Sequence, residues 1–244
     1  MVPRTDMMQG LQRQQDGGGW RARLRRRSQR GAALVEAAII TPVLFTIIFG
    51  AIEYGLMFKD SLTLSNATRA GARIGSIDGN NQYTDYDIVN AVTASLGAAN
   101  VTNTQYLIIY KATPTVAGGA PLNAPPLDCL NAAALVTTTG GVSGTNGAYC
   151  NIYGGGYLAT FNSSAKSTFG ACPSVSTGPD HFWCPVGTAT PGTGRQVLQS
   201  TSSTADGGPD YVGVYIKITH KALTGLVTNN KALSDNTVQR IEPH

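Results

Sequence analysis

The stretch Gly31-Ala-Ala-Leu-Val-Glu36-Ala-Ala-Ile-Ile-Thr-Pro42-Val-Leu-Phe-Thr-Ile-Ile-Phe-Gly50-Ala-Ile-Glu53 decides the architecture. From Ala37 to Ile52 it runs sixteen residues without a charge. Ala32–Val35 and Tyr54–Phe58 extend it towards the ~20 residues that a membrane-spanning helix needs. Pro42 removes one backbone hydrogen bond and should bend the helix, which a spanning helix tolerates. A secretory signal peptide ends in a small-x-small cleavage site soon after its apolar run. Here the chain continues Gly50-Ala-Ile-Glu-Tyr-Gly-Leu-Met-Phe58 instead, so the segment reads as a retained anchor. Glu36 is the anomaly inside it. A charge at the centre of a membrane helix costs roughly 2.5 to 3.5 kcal/mol, so Glu36 calls for a partner or a role. Cleavage between Gly31 and Ala32 would create one: a new α-amino group four residues before Glu36, at the spacing where helical side chains meet. The plainer alternative is a carboxylate near the interface that reaches up to water.

Charge is distributed unevenly on either side of this cut. Residues 1–31 hold eight Arg and two Asp, whereas residues 32–244 hold ten Lys or Arg and twelve Asp or Glu. The overall excess of +4 therefore belongs to the leader, and no basic domain suggests nucleic acid. Arg21, Arg23, Arg25, Arg26, Arg27 and Arg30 precede the apolar run and should hold that end in the cytoplasm, with everything after the anchor exported. Residues 1–20 are polar and Gly-rich and predict disorder.

Beyond the anchor the helix is expected to continue to about Gly75 and to become amphipathic. Leu64, Ala67, Gly71 and Ile74 share one face; Asn66, Arg69 and Arg73 share another. Ala67, Gly71 and Gly75 form a ladder of small residues that permits close helix approach. Thr84-Asp-Tyr-Asp87 predicts a capping box for a second helix, with Ile88, Val92 and Leu96 inward and Gly97 as its stop. Strands are predicted at Tyr106–Tyr110, at Tyr211–Thr219 and, with weaker alternation, at Thr237–Ile241. In the second of these, Val212, Val214, Ile216 and Ile218 alternate against Tyr211, Tyr215 and Lys217.

Residues 113–208 are rich in Gly, Ala, Ser, Thr, Pro and Asn and show no long periodic segment, so they read as a loop insert. They hold Cys129, Cys150, Cys172 and Cys184. An even number of cysteines in an exported segment reads as disulfides, and no C-x-x-C pair favours zinc. Three pairings are possible. Loop closure favours Cys129 with Cys150 and Cys172 with Cys184, since near neighbours lose the least entropy. The aromatics Tyr149, Tyr153, Tyr157, Phe161, Phe182 and Trp183 suit a small core for this insert better than a displayed surface.

Taken together, Gly31-Ala-Ala-x-Val-Glu36, Pro42, Gly50-x-x-Glu53-Tyr54-Gly55 and Asn66-Ala67-x-Arg69-Ala70-Gly71-Ala72-Arg73 resemble the N-terminal region of TadE-like proteins. These are minor pilins or pseudopilins of the tight-adherence (Tad/Flp) pilus, and the glycine, four residues and glutamate resemble the processing signal of type IV prepilins. The closing Val238-Gln-Arg-Ile-Glu242-Pro243 is also similar to the family's ending. The cysteine-bearing insert departs from the family, whose members are often shorter; so does Ala37, where many carry an aromatic residue. The resemblance implies a single-pass inner-membrane protein cut by prepilin peptidase at Gly31 and Ala32, with Glu36 serving assembly. It implies as partners other pilin and pseudopilin subunits, the assembly platform of the inner membrane and membrane lipid. Asn66, Arg69 and Arg73 become candidate subunit contacts beside their plain reading as a solvated face. Glu53 falls where the helix should leave the membrane and reads as an interfacial residue.

The expected fold is α+β. A basic leader (1–31) precedes a transmembrane and amphipathic helix (32–75) packed on a small antiparallel sheet (76–112 and 209–244), with the disulfide-bearing insert at 113–208. No nucleophile elbow, phosphate loop, H-E-x-x-H or dinucleotide fingerprint occurs, so no catalytic residue, metal or cofactor is expected. Asp206-Gly-Gly-Pro-Asp210 offers two carboxylates, too few for calcium, and reads as a turn. His220, at the end of the best strand, reads as structural. An anchored adhesin or binding protein, and further behind an anchored enzyme, are the rival classes.

Overall fold

The computed structural model describes residues 18–79, 81–113, 119–145, 148–170, 178–185, 194–195, 210–225 and 230–242. Two compact units divide the chain, Met1–Ala51 and Ile52–His244. The long helix α1, Gly18–Ile77, contributes to both and continues through Pro42. Gly31–Ile77 is long and apolar enough to cross a membrane. In the first unit its large apolar side chains are bare: Leu34, Val35, Ile39, Ile40, Val43, Leu44 and Phe45 are all exposed, as a segment designed for lipid requires.

The second unit is α+β. Its sheet has five strands, β1 (Thr104–Lys111), β2 (Thr139–Thr145), β3 (Ala148–Gly154), β4 (Tyr211–His220) and β5 (Lys231–Arg240), in the order β2-β3-β1-β4-β5. Every pairing is antiparallel. The alternation of β4 is realised as read: Val212, Val214, Ile216 and Ile218 are buried in a core with Leu64, Ala67, Ile88, Val92 and Leu96 from α1 and α2 (Thr84–Val101). Tyr211 and Tyr215 pack on the opposite face, with Tyr106, Ile108, Tyr110, Cys150 and Ile152. That second face is covered by α3 (Leu127–Ala133), which the disulfide Cys129–Cys150 ties to β3.

The C-terminal part of α1 lies antiparallel to β4 and is fastened along its length. Ser76 Oγ donates to the Arg240 carbonyl at 2.6 Å, and the Glu242 amide donates to the Ser76 carbonyl at 2.9 Å. Further down, Thr68 Oγ1 donates to Asp235 at 2.6 Å. The small-residue ladder serves this contact inside the domain. A Cβ on Gly71 would lie 2.7 Å from Val92 Cγ2, and one on Gly75 would lie 2.9 Å from Val212 Cγ1. Both glycines therefore admit neighbours that any larger residue would push away.

Three expectations need correction. The insert is more than a loop, because it supplies β2 and β3, together with α3 and the short α4 (Gly155–Thr160). β2 reads Thr-Gly-Gly-Val-Ser-Gly-Thr, so strand propensity is weak and pairing with β3 alone organises it. The capping box is not formed. The helix begins at Thr84, whose hydroxyl donates to the carbonyls of Asp78 and Asn81, while Asp85 turns into the interior. Gly97 takes φ +71 and interrupts α2 as expected, but a last turn carries on to Val101.

Candidate functional site

Gly31, Ala32 and Glu36 all lie in α1 and are exposed. Helical geometry sets Ala32 and Glu36 one turn apart on the same side, so an amine created at Ala32 would stand within reach of the carboxylate. Among the described residues, a Cβ on Gly31 would meet nothing within 4 Å. Asn66, Arg69 and Arg73 are exposed, on the side of α1 away from the core.

Glu53 is placed otherwise than the sequence suggests. It is 1% exposed, buried in the second unit. Its carboxylate accepts hydrogen bonds from the backbone amides of Leu223 (3.0 and 3.2 Å) and Thr224 (3.3 Å) and from the Thr224 hydroxyl (3.4 Å). His220 completes the cluster: its Nδ1 lies 2.7 Å from Asp60 Oδ2, and its Nε2 lies 3.9 Å from Glu53 Oε1. Glu53 does not face headgroups or water as an interfacial carboxylate ordinarily would, because residues 223 and 224 fold over it and supply amides instead. His220 is buried at the end of β4, with Nδ1 hydrogen-bonded to Asp60 of α1 and Nε2 facing Glu53. Sequence alone carried a faint signal in the i, i+7 spacing of Glu53 and Asp60, which sets both acids on one helix face.

A second buried polar cluster joins the insert to α2. Asp85, on α2, accepts from the Arg195 guanidinium, from Asn151 Nδ2 at 2.6 Å and from the Tyr153 hydroxyl at 3.0 Å. Asn151 also exchanges hydrogen bonds with the Trp183 backbone, both at 2.9 Å. The Arg195 guanidinium stacks 4.3 Å from the Trp183 ring centroid. Nearby, burial above all and then the Asp85 charge raise the Asp180 carboxyl to about 6. Burial likewise pushes the Tyr153 phenol well up, and the Asp85 charge adds to it. These residues are all fully or almost fully buried. Trp183 and Tyr153 belong to the core, with Tyr157 and Phe161 packed against it, and Phe182 is half-buried, so the aromatics of the insert form a core as expected.

Of the cysteines, Cys129 and Cys150 are bonded to one another. Cys184 is disulfide-bonded too, while Cys172 lies outside the described residues. Asp206–Pro209 also lie outside them. Asp210 is buried, pairs with Lys111 at 3.2 Å and accepts from the Thr113 hydroxyl at 2.8 Å.

Among the described residues, one apolar helix is long enough to cross a membrane, and it continues into a helix-on-sheet domain. Residues 31–73 match the family model of TadE-like proteins, a family related to pili and structural rather than enzymatic. The matched stretch contains Gly31, Glu36, Glu53, Asn66, Arg69 and Arg73 and ends before the sheet begins. No curated protein and no solved structure matches the chain.

Proposed function

We propose that this protein is a minor pilin, or pseudopilin, of a tight-adherence pilus, working with other pilus components rather than on a substrate. The observation that carries the reading is the TadE-like match over residues 31–73, on the same residues as the Gly31-x-x-x-x-Glu36 spacing. In this reading prepilin peptidase cuts between Gly31 and Ala32 and removes the arginine-rich leader. The freed amine of Ala32, from the same or a neighbouring subunit, pairs with Glu36. Pairing inside lipid relieves an otherwise unfavourable carboxylate, and so sets the register of one subunit against the next. The anchor resides in the inner membrane with the leader in the cytoplasm and the sheet domain exported. A role in initiating, capping or supporting the pilus follows. Among the described residues of the insert, Tyr153 and Trp183 are buried and Tyr149, Tyr157 and Phe161 pack against them, which favours a core over a displayed binding surface there.

Intact-mass measurement of the membrane-extracted protein tests the processing step. The expected mature chain begins at Ala32; a chain that retains Arg25 to Arg30 in cells with active peptidase overturns it. Glu36→Gln should leave insertion and cleavage intact while impairing piliation. Normal piliation from that variant would refute the pairing.

A further inference from the structure

We propose that residues 221–225, directly after β4, are a second membrane contact: a foot that Glu53 fixes to α1 and that sets Leu223 into the lipid interface. This rests on the reading of α1 as a membrane anchor. The register of the sheet supplies the geometry. Thr104 of β1 pairs with Ile218, and Lys111 with Val212, so His220 and the turn after it lie at one end of the sheet. α1 passes Glu53 and Asp60 at that end and reaches Val212 with Gly75 at the other. The end that holds the turn is therefore the end at which the chain emerges from its apolar run. Sixteen uncharged residues, Ala37–Ile52, rise about 24 Å at 1.5 Å per residue, and with Ala32–Val35 they fill a hydrocarbon core of about 30 Å. Glu53 follows directly, so its level is the membrane boundary.

At this level a carboxylate would ordinarily face headgroups and water. Instead it is spent on the amides of Leu223 and Thr224, and Asp60 and His220 hold the strand end beside it. The turn is thus fixed with an apolar residue facing outward: Leu223 is 67% exposed. Around this level α1 itself exposes Tyr54 and Phe58, at 56% and 65%. Tyr and Trp are enriched at both membrane interfaces, as Tyr54 would be there. Lys59 and Lys221 are exposed beside them and suit lipid phosphates, with their stems along the acyl boundary. An exposed leucine between lysines and interfacial aromatics matches the chemistry of a lipid surface.

The test uses the full-length oxidised protein in phosphatidylethanolamine–phosphatidylglycerol vesicles. An environment-sensitive nitrobenzoxadiazole label is attached, without reductant, to Leu223→Cys, to Leu44→Cys in the anchor or to Gln82→Cys at the far end of the sheet. Emission and quenching by lipids carrying a spin label near the interface are then read. The expected result is blue-shifted, lipid-quenched emission at positions 223 and 44 and a water-like, unquenched spectrum at 82. Adding Glu53→Ala to Leu223→Cys should lower the quenching at 223 at least twofold and leave that at 44 unchanged in its own background. A quenched 44 with a water-like 223 overturns the foot and spares the anchor; an unquenched 44 defeats the anchor reading and the foot with it. Blue-shifted emission at 223 without lipid quenching places a protein surface there and overturns the lipid assignment. Undiminished quenching at 223 in Glu53→Ala removes Glu53 from the proposal.

Discussion

Asp180 shows how one buried carboxyl makes stability depend on pH. Its ordinary pKa is 3.8, and burial with the neighbouring Asp85 charge raises it to about 6 in the folded chain. Between these values the unfolded chain has released the proton and the folded chain retains it. The folded state then binds more protons, so stability falls as pH rises from about 4 to about 6 and is level beyond. Asp180→Asn lacks this titration but keeps an oxygen for the Gly170 amide, which Asp180 now accepts at 3.2 Å. The melting temperature of the wild type, measured relative to Asp180→Asn, should drop across that window. A difference that stays constant from pH 4 to pH 7 would contradict the assignment. Glu53 and Asp85 show the limit of reading residues in isolation. Each is an acid at a helical position where an interfacial or capping role is the ordinary expectation, and each is instead enclosed by a segment far along the chain. Asn151, set between Cys150 and Ile152 in an apolar strand, is a local hint of a buried polar cluster around its partner Asp85; Arg195, which pairs with the same Asp85, carries no local signal.

At the scale of elements, what could be read were segments with a clear period. The apolar run, the inward faces of α1 and α2 and the alternation of β4 rest on local spacing, and their positions agree with the structure to within a few residues. The edge hairpin of β2 and β3 was not legible, because its glycines deny it propensity and its order comes from pairing with β1. The small-residue ladder was visible, but its partner was not. Spacing shows that something approaches closely, and only the fold shows that α2 and β4 do so. This gives a paired prediction within one helix. Gly75→Leu must displace Val212 and Ile88, whose atoms would lie 2.9 and 3.0 Å from the new Cβ. Overpacking of this kind costs about 1–3 kcal/mol, more than offsetting the helix propensity gained over glycine, and the thermal midpoint in detergent should fall. A Cβ on Gly55 meets nothing within 4 Å, so Gly55→Leu should keep the midpoint or raise it. Equal effects at the two positions would contradict the close seam between α1 and β4.

At the scale of the whole molecule, the arginine-rich leader and the disulfide make linked demands. If the leader holds the N-terminus in the cytoplasm, Cys129 and Cys150 reach the oxidising side of the membrane, where their bond can form and persist. The bond spans 21 residues and stabilises by about 3 kcal/mol in the chain-entropy account. It fastens α3 over the sheet face opposite the one that α1 and α2 cover. The two faces are separate cores, so they should respond separately. Reduction of the purified protein should raise hydrogen exchange first in α3, which loses its tether, and then in the edge strand β2. β4, hydrogen-bonded to β1 and β5 and packed under α1, should retain its protection. Peptide mapping without reductant comes before that experiment, and it should recover Cys129 joined to Cys150 and, as the proposed second pair, Cys172 joined to Cys184. Uniform loss of protection on reduction would mean that the disulfide supports the whole domain. Four free thiols in protein taken from its native envelope would contradict export itself, since a chain whose cysteines already lie within bonding reach stays reduced only in a compartment that keeps thiols reduced.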